Sequence, residues 1–311
     1  MADNGIHHVT AIAGPARRNL DFYTRVLGLR LVKKTVNFDD PGTYHLYYGD
    51  GVGTPGTILT FFPWEHAAPG RAGIGETMVT AFRVPESSIG YWTHRFLEKG
   101  VTHDAITRRF GQTVLEFRDH DGMRLALVGV RDPADDAMWS GGEIPAENAI
   151  RGFHGVTLLL REAAPTAAIL TDVLGFAEEG REGSIVRYRA GGTSVGGVVD
   201  IQAVGDFLRG RQGAGSVHHI AFRAADDAAE FAMMQKLAEN HGIQTTEQKD
   251  RNYFRSLYFR EPGGVLFEIA TDIPGFAVDE PVAELGQSLK LPPQYEARRV
   301  AIEAALPDLS A

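Results

Sequence analysis

Two histidine pairs and one glutamate are the residues of this chain whose types and spacing suggest chemistry. The pairs His7–His8 and His218–His219 stand in similar stretches, GIHHVTAIAG from residue 5 and GSVHHIAFRAAD from residue 215. Glu268 lies within GVLFEIA, an otherwise apolar run. A carboxylate in such a run is costly to bury unless a cation or hydrogen bonds compensate it. Two histidines with one carboxylate form a ligand set that holds non-haem iron(II) and leaves coordination positions open.

The alternation of side chains along a strand decides which histidine of each pair can join a common site. Successive residues of a strand face opposite sides of the sheet, and helices cover the more apolar side. His7 and His218 share their predicted faces with apolar neighbours that suit packing against helices, and Glu268 faces away from the apolar row of its own strand. We therefore expect His8, His219 and Glu268 on the open, concave face, with His7 and His218 toward the helices.

The chain repeats one pattern of elements four times, starting near residues 5, 76, 152 and 216. Each repeat predicts a strand, a helix and three further strands, and two of the helices end at Gly28 and Gly175 in the matching stretches DFYTRVLGL and AILTDVLGF. A unit of this size cannot close a core alone, so we expect the units to pair. The predicted fold class is α+β: four βαβββ modules form two paired-module domains with concave mixed sheets, followed by a C-terminal extension.

Composition marks the predicted domain boundaries. Residues 132–150 are rich in proline, glycine and acidic residues, which is typical of a linker. The linker would separate an N-terminal domain at 1–131 from a C-terminal domain at 151–272, each with two modules.

The last segment, residues 273–311, differs from the repeats and is predicted to be an extension that docks on the domains. Pro293 is placed to begin a helix. That helix carries the apolar residues Val300, Ile302 and Leu306.

Comparison among the repeats shows that the scaffold does not require the candidate ligands. The matching positions of the other units carry small or apolar residues: Gly155 for His8, Val79 for His219 and Ala126 for Glu268. The three polar residues are thus additions confined to the first and fourth units. We expect one site, formed between those two units.

The composition limits the partners that this chain can have. A net charge of −9 and the lack of any block of Lys or Arg disfavour binding to nucleic-acid phosphates or acidic membrane surfaces. The chain has no cysteine, so a metal would be held by His, Asp, Glu or Tyr side chains. No leader segment and no apolar run of about 18 residues are evident, which predicts a cytoplasmic protein. Self-association into a homo-oligomer stays open.

Several stretches together resemble the vicinal oxygen chelate superfamily, which is built from βαβββ modules. They are GIHHVTAI, DFYTRVLGL, GSVHHIAFR, FREPGGVLFEIATD and LPPQYEARR, and they cover almost the whole chain. Within the superfamily the chain is similar to ring-cleaving dioxygenases of the hydroquinone 1,2-dioxygenase type. The resemblance implies metal ligands at His8, His219 and Glu268, the same residues that alternation places on the open face.

The resemblance also implies acid–base and substrate-orienting residues beside the metal: His218 would accept the substrate proton, and Tyr258 or Arg251 would stabilise the developing negative charge. Tyr258 lies roughly opposite Glu268 across the EPGG turn, and an ordinary strand tyrosine is the alternative. Arg251 stands in the loop-like stretch KDRNYF, where a solvated surface arginine is the alternative. His218 conflicts with alternation, which turns it toward the helices and predicts a structural role instead.

The resemblance implies Fe(II)-dependent, extradiol-type cleavage of hydroquinone-like aromatic diols by O2, with Mn(II) as a second metal that fits the same ligand types. It favours a para-diol over a catechol. Two other classes stay open. A glyoxalase-like isomerase or lyase needs a second carboxylate in the metal set, and the strand GTILTFF that closes the first unit has none. A metal-free drug-binding resistance protein would leave the two histidines and the glutamate unexplained.

Overall fold

Four repeats of one strand, one helix and three strands make up the observed architecture, as the sequence predicts. Within the predicted linker, residues 132–150, positions 132 and 134–137 lie outside the described part of the chain. The α+β fold class is confirmed. The computed structural model describes residues 4–131, 133 and 138–309.

Each unit keeps the same order of elements. The first unit consists of β1 (Ile6–Ala13), α1 (Ala16–Asp21), β2 (Arg30–Asn37), β3 (Asp40–Gly49) and β4 (Ile58–Pro63). The second consists of β5 (Glu76–Pro85), α2 (Ile89–Lys99), β6 (Thr107–Arg109), β7 (Gln112–Arg118) and β8 (Arg124–Val130). The third consists of β9 (Phe153–Leu160), α3 (Ala164–Asp172), β10 (Phe176–Glu182), β11 (Ile185–Ala190) and β12 (Val198–Ala203). The fourth consists of β13 (Ser216–Ala224), α4 (Asp227–His241), β14 (Lys249–Asp250), β15 (Phe254–Arg260) and β16 (Leu266–Pro274), and α5 (Arg299–Ala305) follows it.

Two eight-stranded sheets each unite two units. One sheet has the order β14-β15-β16-β13-β1-β4-β3-β2 and joins the fourth unit to the first. The other has the order β10-β11-β12-β9-β5-β8-β7-β6 and joins the third unit to the second. The units therefore pair, but each sheet crosses the predicted division into residues 1–131 and 151–272. Where the domain boundaries lie stays a prediction.

The first strand of each unit forms the junction between units. β1 runs parallel to β4 of its own unit and antiparallel to β13 of the fourth unit, and β5 and β9 form the equivalent antiparallel junction. Any two such free edges can pair, because backbone hydrogen bonds do not distinguish one unit from another. The repeat pattern therefore predicts that units pair but does not select the partners.

The helices cover the apolar face of each sheet. On the first sheet Val9, Ile220 and Phe267 are fully buried in the main hydrophobic core, as the apolar rows predict. α4 begins where Asp226 accepts a hydrogen bond from a backbone N–H, and it ends at Gly242, whose φ of 64° favours glycine. Among the described residues, no helix combines the length and the apolar character needed to cross a membrane.

The C-terminal extension docks on the outer strands of the first sheet, as expected. The backbone N–H of Lys290 donates to the Lys34 carbonyl at 2.9 Å. The Tyr295 hydroxyl donates to the Phe38 carbonyl at 2.7 Å. These contacts cover the edge of β2, which would otherwise present unpaired backbone groups.

The helix of the extension differs from its prediction. Pro293 begins a 3-10 turn, and the α-helix starts only at Arg299. Ile302 and Leu306 are buried, whereas Val300 is 82% exposed. The reason is helical geometry: residues four apart share a face, and residues two apart do not.

A buried lysine ties the extension to the sheet. The side chain of Lys33 in β2 has no exposed surface, and its ammonium lies 2.6 Å from Asp279 Oδ1 and 2.5 Å from Glu280 Oε2. The same ammonium lies 4.7 Å from the centre of the Tyr253 ring, whose hydroxyl donates to Asp279 at 2.9 Å. Removing one partner of such a buried group leaves the remaining charges uncompensated.

Lys33→Met should therefore lower the free energy of unfolding by about 3–5 kcal/mol, the usual cost of breaking a buried ion pair from one side. Urea denaturation of the full chain would measure this loss. Lys34→Met is the matched control, because Lys34 is the next residue of the same strand, and we expect a change within about 0.5 kcal/mol. Equal stability losses in the two variants would contradict the assignment.

Candidate metal centre

Three side chains from three strands converge near the middle of the first sheet. His8 Nε2 lies 3.1 Å from Glu268 Oε2, and His219 Nε2 lies 2.8 Å from the same oxygen. One ligand atom from each residue lies within 4.8 Å of the others, and all three residues are buried. In the part of the chain that the structure describes, no other group of three His, Cys, Asp or Glu side chains has metal-binding spacing.

Strand register explains how residues so far apart in sequence meet. β1 and β13 run antiparallel, with Thr10 opposite His219 and His8 opposite Ala221. β16 extends the sheet beyond β13 and sets Glu268 beside Ala221. The small Ala221 side chain thus stands between His8 and Glu268 in the sheet, and a methyl group leaves them room to approach each other.

The Glu268 carboxylate is fully buried, and neither oxygen has a hydrogen-bond donor among the described residues. Its short contacts are with the ring nitrogens of His8 and His219. Burial alone would raise the pKa of Glu268, yet the two histidines beside it hold that pKa well below its ordinary value. A buried ionised carboxylate needs a cation, and a divalent metal held by all three residues fits that need.

Proton positions around His8 also suit metal binding. His7 Nδ1 lies 2.9 Å from His8 Nδ1. Burial lowers the pKa of His7 well below its ordinary value, so its ring is neutral. If His8 Nε2 binds a metal, His8 Nδ1 carries the ring proton and donates a hydrogen bond to His7 Nδ1.

A β-bulge in each strand turns the neighbouring histidine toward the open face. The register between β1 and β13 shifts by one residue at His7 and again at His218, so each is an extra, unpaired residue. The alternation argument is therefore wrong for both. His218 lines the open cavity beside His219, and His7 packs on Phe254 with ring centres 5.3 Å apart.

His218 lies at the edge of the cavity next to the candidate ligand His219. Their Nδ1 atoms are 2.8 Å apart, and the His218 ring stands edge-on to Phe62. Burial, and then the nearby His219, lower the pKa of His218 to about 4, so its ring is neutral near pH 7. If His219 Nε2 binds a metal, its Nδ1 carries the ring proton and donates a hydrogen bond to His218 Nδ1. The single proton of His218 then lies on Nε2.

Tyr258 and Arg251 line the same cavity. Tyr258 is the direct partner of Glu268 in the β15–β16 pairing, and its ring stands edge-on to His219 with ring centres 5.5 Å apart. Burial, and then the Glu268 charge, raise the pKa of Tyr258, so its hydroxyl keeps its proton at neutral pH. The Arg251 guanidinium lies 5.6 Å from the Tyr258 ring centre and 3.7 Å from Asp39, with 19% of its side chain exposed. It is therefore not a freely solvated surface arginine.

The sequence analysis missed a buried polar chain on the other side of the cavity. Thr60 Oγ1 lies 2.8 Å from Thr10 Oγ1 and 2.8 Å from His45 Nε2, while His45 Nδ1 lies 2.8 Å from the Tyr47 hydroxyl. Burial lowers the pKa of His45 well below its ordinary value. The signal was present in YHLYYGD, where alternation sets His45 and Tyr47 on the face opposite to the apolar residues.

The cavity above the candidate ligands has a volume of about 400 Å³. His8 and His219 line its inner end, and a volume in this range holds an aromatic ring with substituents. Two cationic side chains, of Lys249 and Arg251, also line the cavity. Six aromatic side chains line its walls: Phe38, Tyr47, Phe62, Trp64, Phe254 and Tyr258.

The second sheet does not repeat this centre. Its equivalent registers place small or apolar residues, Gly155, Val79 and Ala126, at the positions of the three candidate ligands. A buried ion pair lies nearby instead, in which Arg187 donates two hydrogen bonds of 2.8 Å to Asp200. The asymmetry between the sheets agrees with a single site formed by the first and fourth units.

Comparison with known proteins gives this architecture its family. A sequence model of the Glyoxalase/Bleomycin resistance protein/Dioxygenase superfamily matches residues 5–127. The chain is also 48% identical to "Putative ring-cleaving dioxygenase MhqO" of Bacillus subtilis, and the alignment covers 97% of this chain and 95% of that protein. The chain belongs to this superfamily. The predicted resemblance is confirmed.

A further relative and two solved structures match over 86% or more of this chain. Chlorohydroquinone/hydroquinone 1,2-dioxygenase of Sphingobium indicum is 33% identical, over 94% of this chain and 92% of that protein. The crystal structure of a "putative dioxygenase" from Bacillus subtilis superposes with a TM-score of 0.94 at 46% identity, covering 98% of this chain and 97% of that one. Glyoxalase I from Zea mays shares the fold at 13% identity, with a TM-score of 0.63 over 86% of this chain and 92% of that one.

The protein loaded with Fe(II) under anaerobic conditions should bind about one metal ion per chain, because the described residues hold a single ligand group. His219→Ala removes one of three ligands and should reduce the bound metal to a small fraction. Elemental analysis after desalting would measure both values.

His154→Ala is the matched control for metal binding, because this buried histidine lies on the second sheet with Nε2 3.0 Å from Gln112. We expect it to retain the metal content of the unmodified chain. Two tightly bound ions per chain, or unchanged metal after His219→Ala, would contradict the assigned site.

Proposed function

We propose that this chain is an Fe(II)-dependent, extradiol-type dioxygenase that cleaves the ring of hydroquinone-like aromatic diols with O2. The observation that carries the proposal is the buried Glu268 carboxylate, which lies between His8 Nε2 and His219 Nε2 beneath a cavity with aromatic walls. Two histidines and one carboxylate are typical of non-haem iron(II) oxygenases. The names of two relatives, a ring-cleaving dioxygenase and a hydroquinone 1,2-dioxygenase, support the same activity. Mn(II) fits the same ligand types.

His8 and His219 would hold the metal as neutral donors, and Glu268 as an anionic donor that lowers the net charge of the site. When bound, Fe(II) supplies open coordination positions at which O2 and a phenolate oxygen can react, although free O2 and a closed-shell phenol react slowly. The aromatic walls, among them Phe62 and Trp64, would orient the substrate ring and exclude water from it.

The residues beside the ligands supply proton and charge control in this proposal. The proton on His218 Nε2 makes this residue a hydrogen-bond donor to a substrate oxygen, and a proton donor later in the reaction. The contact of His218 with His219 does not favour the opposite role, in which the neutral ring accepts the substrate proton. The Tyr258 hydroxyl and the Arg251 guanidinium would stabilise negative charge that develops on the substrate oxygen.

A glyoxalase-like reaction is less well supported by the contacts around the candidate ligands. In the first unit, Thr60 occupies the position that Glu268 occupies in the fourth unit. Thr60 pairs with Thr10 between the parallel strands β1 and β4, and Glu268 pairs with Ala221 between the parallel strands β13 and β16. A second carboxylate in the metal set would be expected at the position of Thr60. Its hydroxyl instead contacts Thr10 and His45. A metal-free drug-binding role leaves the buried Glu268 carboxylate without a cation.

The iron-loaded protein should consume O2 when it is given methyl-, methoxy- or chloro-substituted hydroquinones, with a ring-opened semialdehyde as product. An oxygen electrode and mass spectrometry of the product would measure the reaction across a panel of diols. Catechol turnover far above hydroquinone turnover would assign the chain to catechol cleavage instead. Loss of glyoxal-type substrates without O2 uptake would support the isomerase alternative.

His218→Ala should leave the metal content near normal and reduce kcat by roughly 100-fold or more, the usual effect of losing a proton-transfer group. Tyr258→Phe removes only a hydroxyl, so we expect a loss on the order of 10-fold to 1,000-fold if that hydroxyl stabilises an oxyanion. Metal content, melting temperature and kcat should be measured on the same samples.

The structural alternative for His218 makes the opposite prediction. A residue that only packs against its neighbours would give a His218→Ala variant with a lowered melting temperature and nearly full activity. That outcome would refute the assigned role. The outcome expected here is a folded, metal-containing and slow enzyme.

A further inference from the structure

The concave side of the second sheet contains a cleft of about 450 Å³, as large as the cavity of the candidate metal centre. Its floor includes Val79, which belongs to a small buried apolar cluster separate from the main core. Leu159, Val204 and Phe207 add apolar walls, and the Phe207 side chain is 60% exposed although it is large and apolar. The cleft is therefore a partly open apolar surface that no described residue fills.

One side of the cleft carries an excess of positive charge. Arg109 Nη2 donates to Glu116 Oε1 at 2.9 Å, and Arg124 Nη2 donates to Glu116 Oε2 at 3.1 Å. Two guanidinium groups thus share a single carboxylate, and all three side chains line the cleft. The local charge is +1 in a chain whose net charge is −9. Each guanidinium has further N–H groups that can bind an anion in bidentate fashion.

The cleft has the features of a binding site rather than of a second reaction centre. Arg187 and Asp200, an ionisable pair of the same sheet outside the cleft, are engaged in a bidentate contact at 2.8 Å. No three His, Cys, Asp or Glu side chains of the described second sheet have metal-binding spacing. The cleft instead combines an apolar surface with two guanidinium groups.

We propose that this cleft binds a small amphipathic monoanion, with its carboxylate between Arg109 and Arg124 and its ring or short alkyl chain against Val79, Leu159 and Phe207. The volume lies in the range of small-molecule sites, and the single excess positive charge matches one carboxylate. This site does not involve the candidate metal ligands, so it can be tested independently of the proposed dioxygenase activity.

Titration calorimetry with 4-phenylbutyrate on the metal-free full chain tests the proposal. We expect binding with a Kd of about 1 mM or tighter. Arg109→Gln should weaken it at least tenfold, about the loss of one charge-assisted hydrogen bond. Glu116→Gln removes the competing carboxylate and should strengthen binding several-fold. The uncharged analogue 4-phenylbutan-1-ol should bind more weakly and should respond to neither substitution.

Three further variants separate binding in this cleft from a general charge effect and from binding in the cavity of the first sheet. Arg25→Gln, on an exposed side chain of the first unit, should leave phenylbutyrate binding unchanged and so controls for overall charge. Phe207→Ser removes exposed apolar surface and should weaken the binding of both ligands severalfold, while the protein stays folded. Arg251→Gln, in the cavity of the first sheet, should have no effect. No binding by the unmodified chain, or a loss with Arg251→Gln but not with Arg109→Gln, would overturn the proposal.

Discussion

The antiparallel junction of β1 with β13 is the contact on which the candidate site depends. His8 and His219 lie more than two hundred residues apart in sequence, and only this pairing brings them to one point on the concave face. β16 then adds Glu268 from the far side of β13. The junction is made of backbone hydrogen bonds that any strand can form, but its register is specific, because a shift by one residue would move every side chain to the opposite face.

The two sheets show what the scaffold needs and what the chemistry adds. Both have the same strand order and the same kind of junction, so the βαβββ module is stable with either Gly155 or His8 at a matching position. The second sheet satisfies its buried charge internally, through Arg187 and Asp200. Among the described residues, none gives the Glu268 carboxylate of the first sheet a hydrogen bond of good geometry. A buried charge that the protein does not itself satisfy marks the place where a cation belongs.

Much of the site could be predicted from the sequence, and the parts that could not have one physical cause. Alternation correctly placed His8, His219, Glu268 and Tyr258 on one face, because strands keep a period of two over short distances. It failed for His218, which lies on a β-bulge that breaks the period. A bulge depends on how two strands meet, and a single strand carries no local mark of it.

Local patterns of residues determined the four modules, the type and order of their elements, the three candidate ligands and the family, because turn residues and hydrophobic periodicity act within a few residues of each other. The folded chain alone determined which modules share a sheet, how the bulged histidines turn, and how Lys33 anchors the C-terminal extension. These features depend on contacts between segments far apart in the chain. Free strand edges are interchangeable and buried charges find partners only after folding, so local pattern cannot specify either.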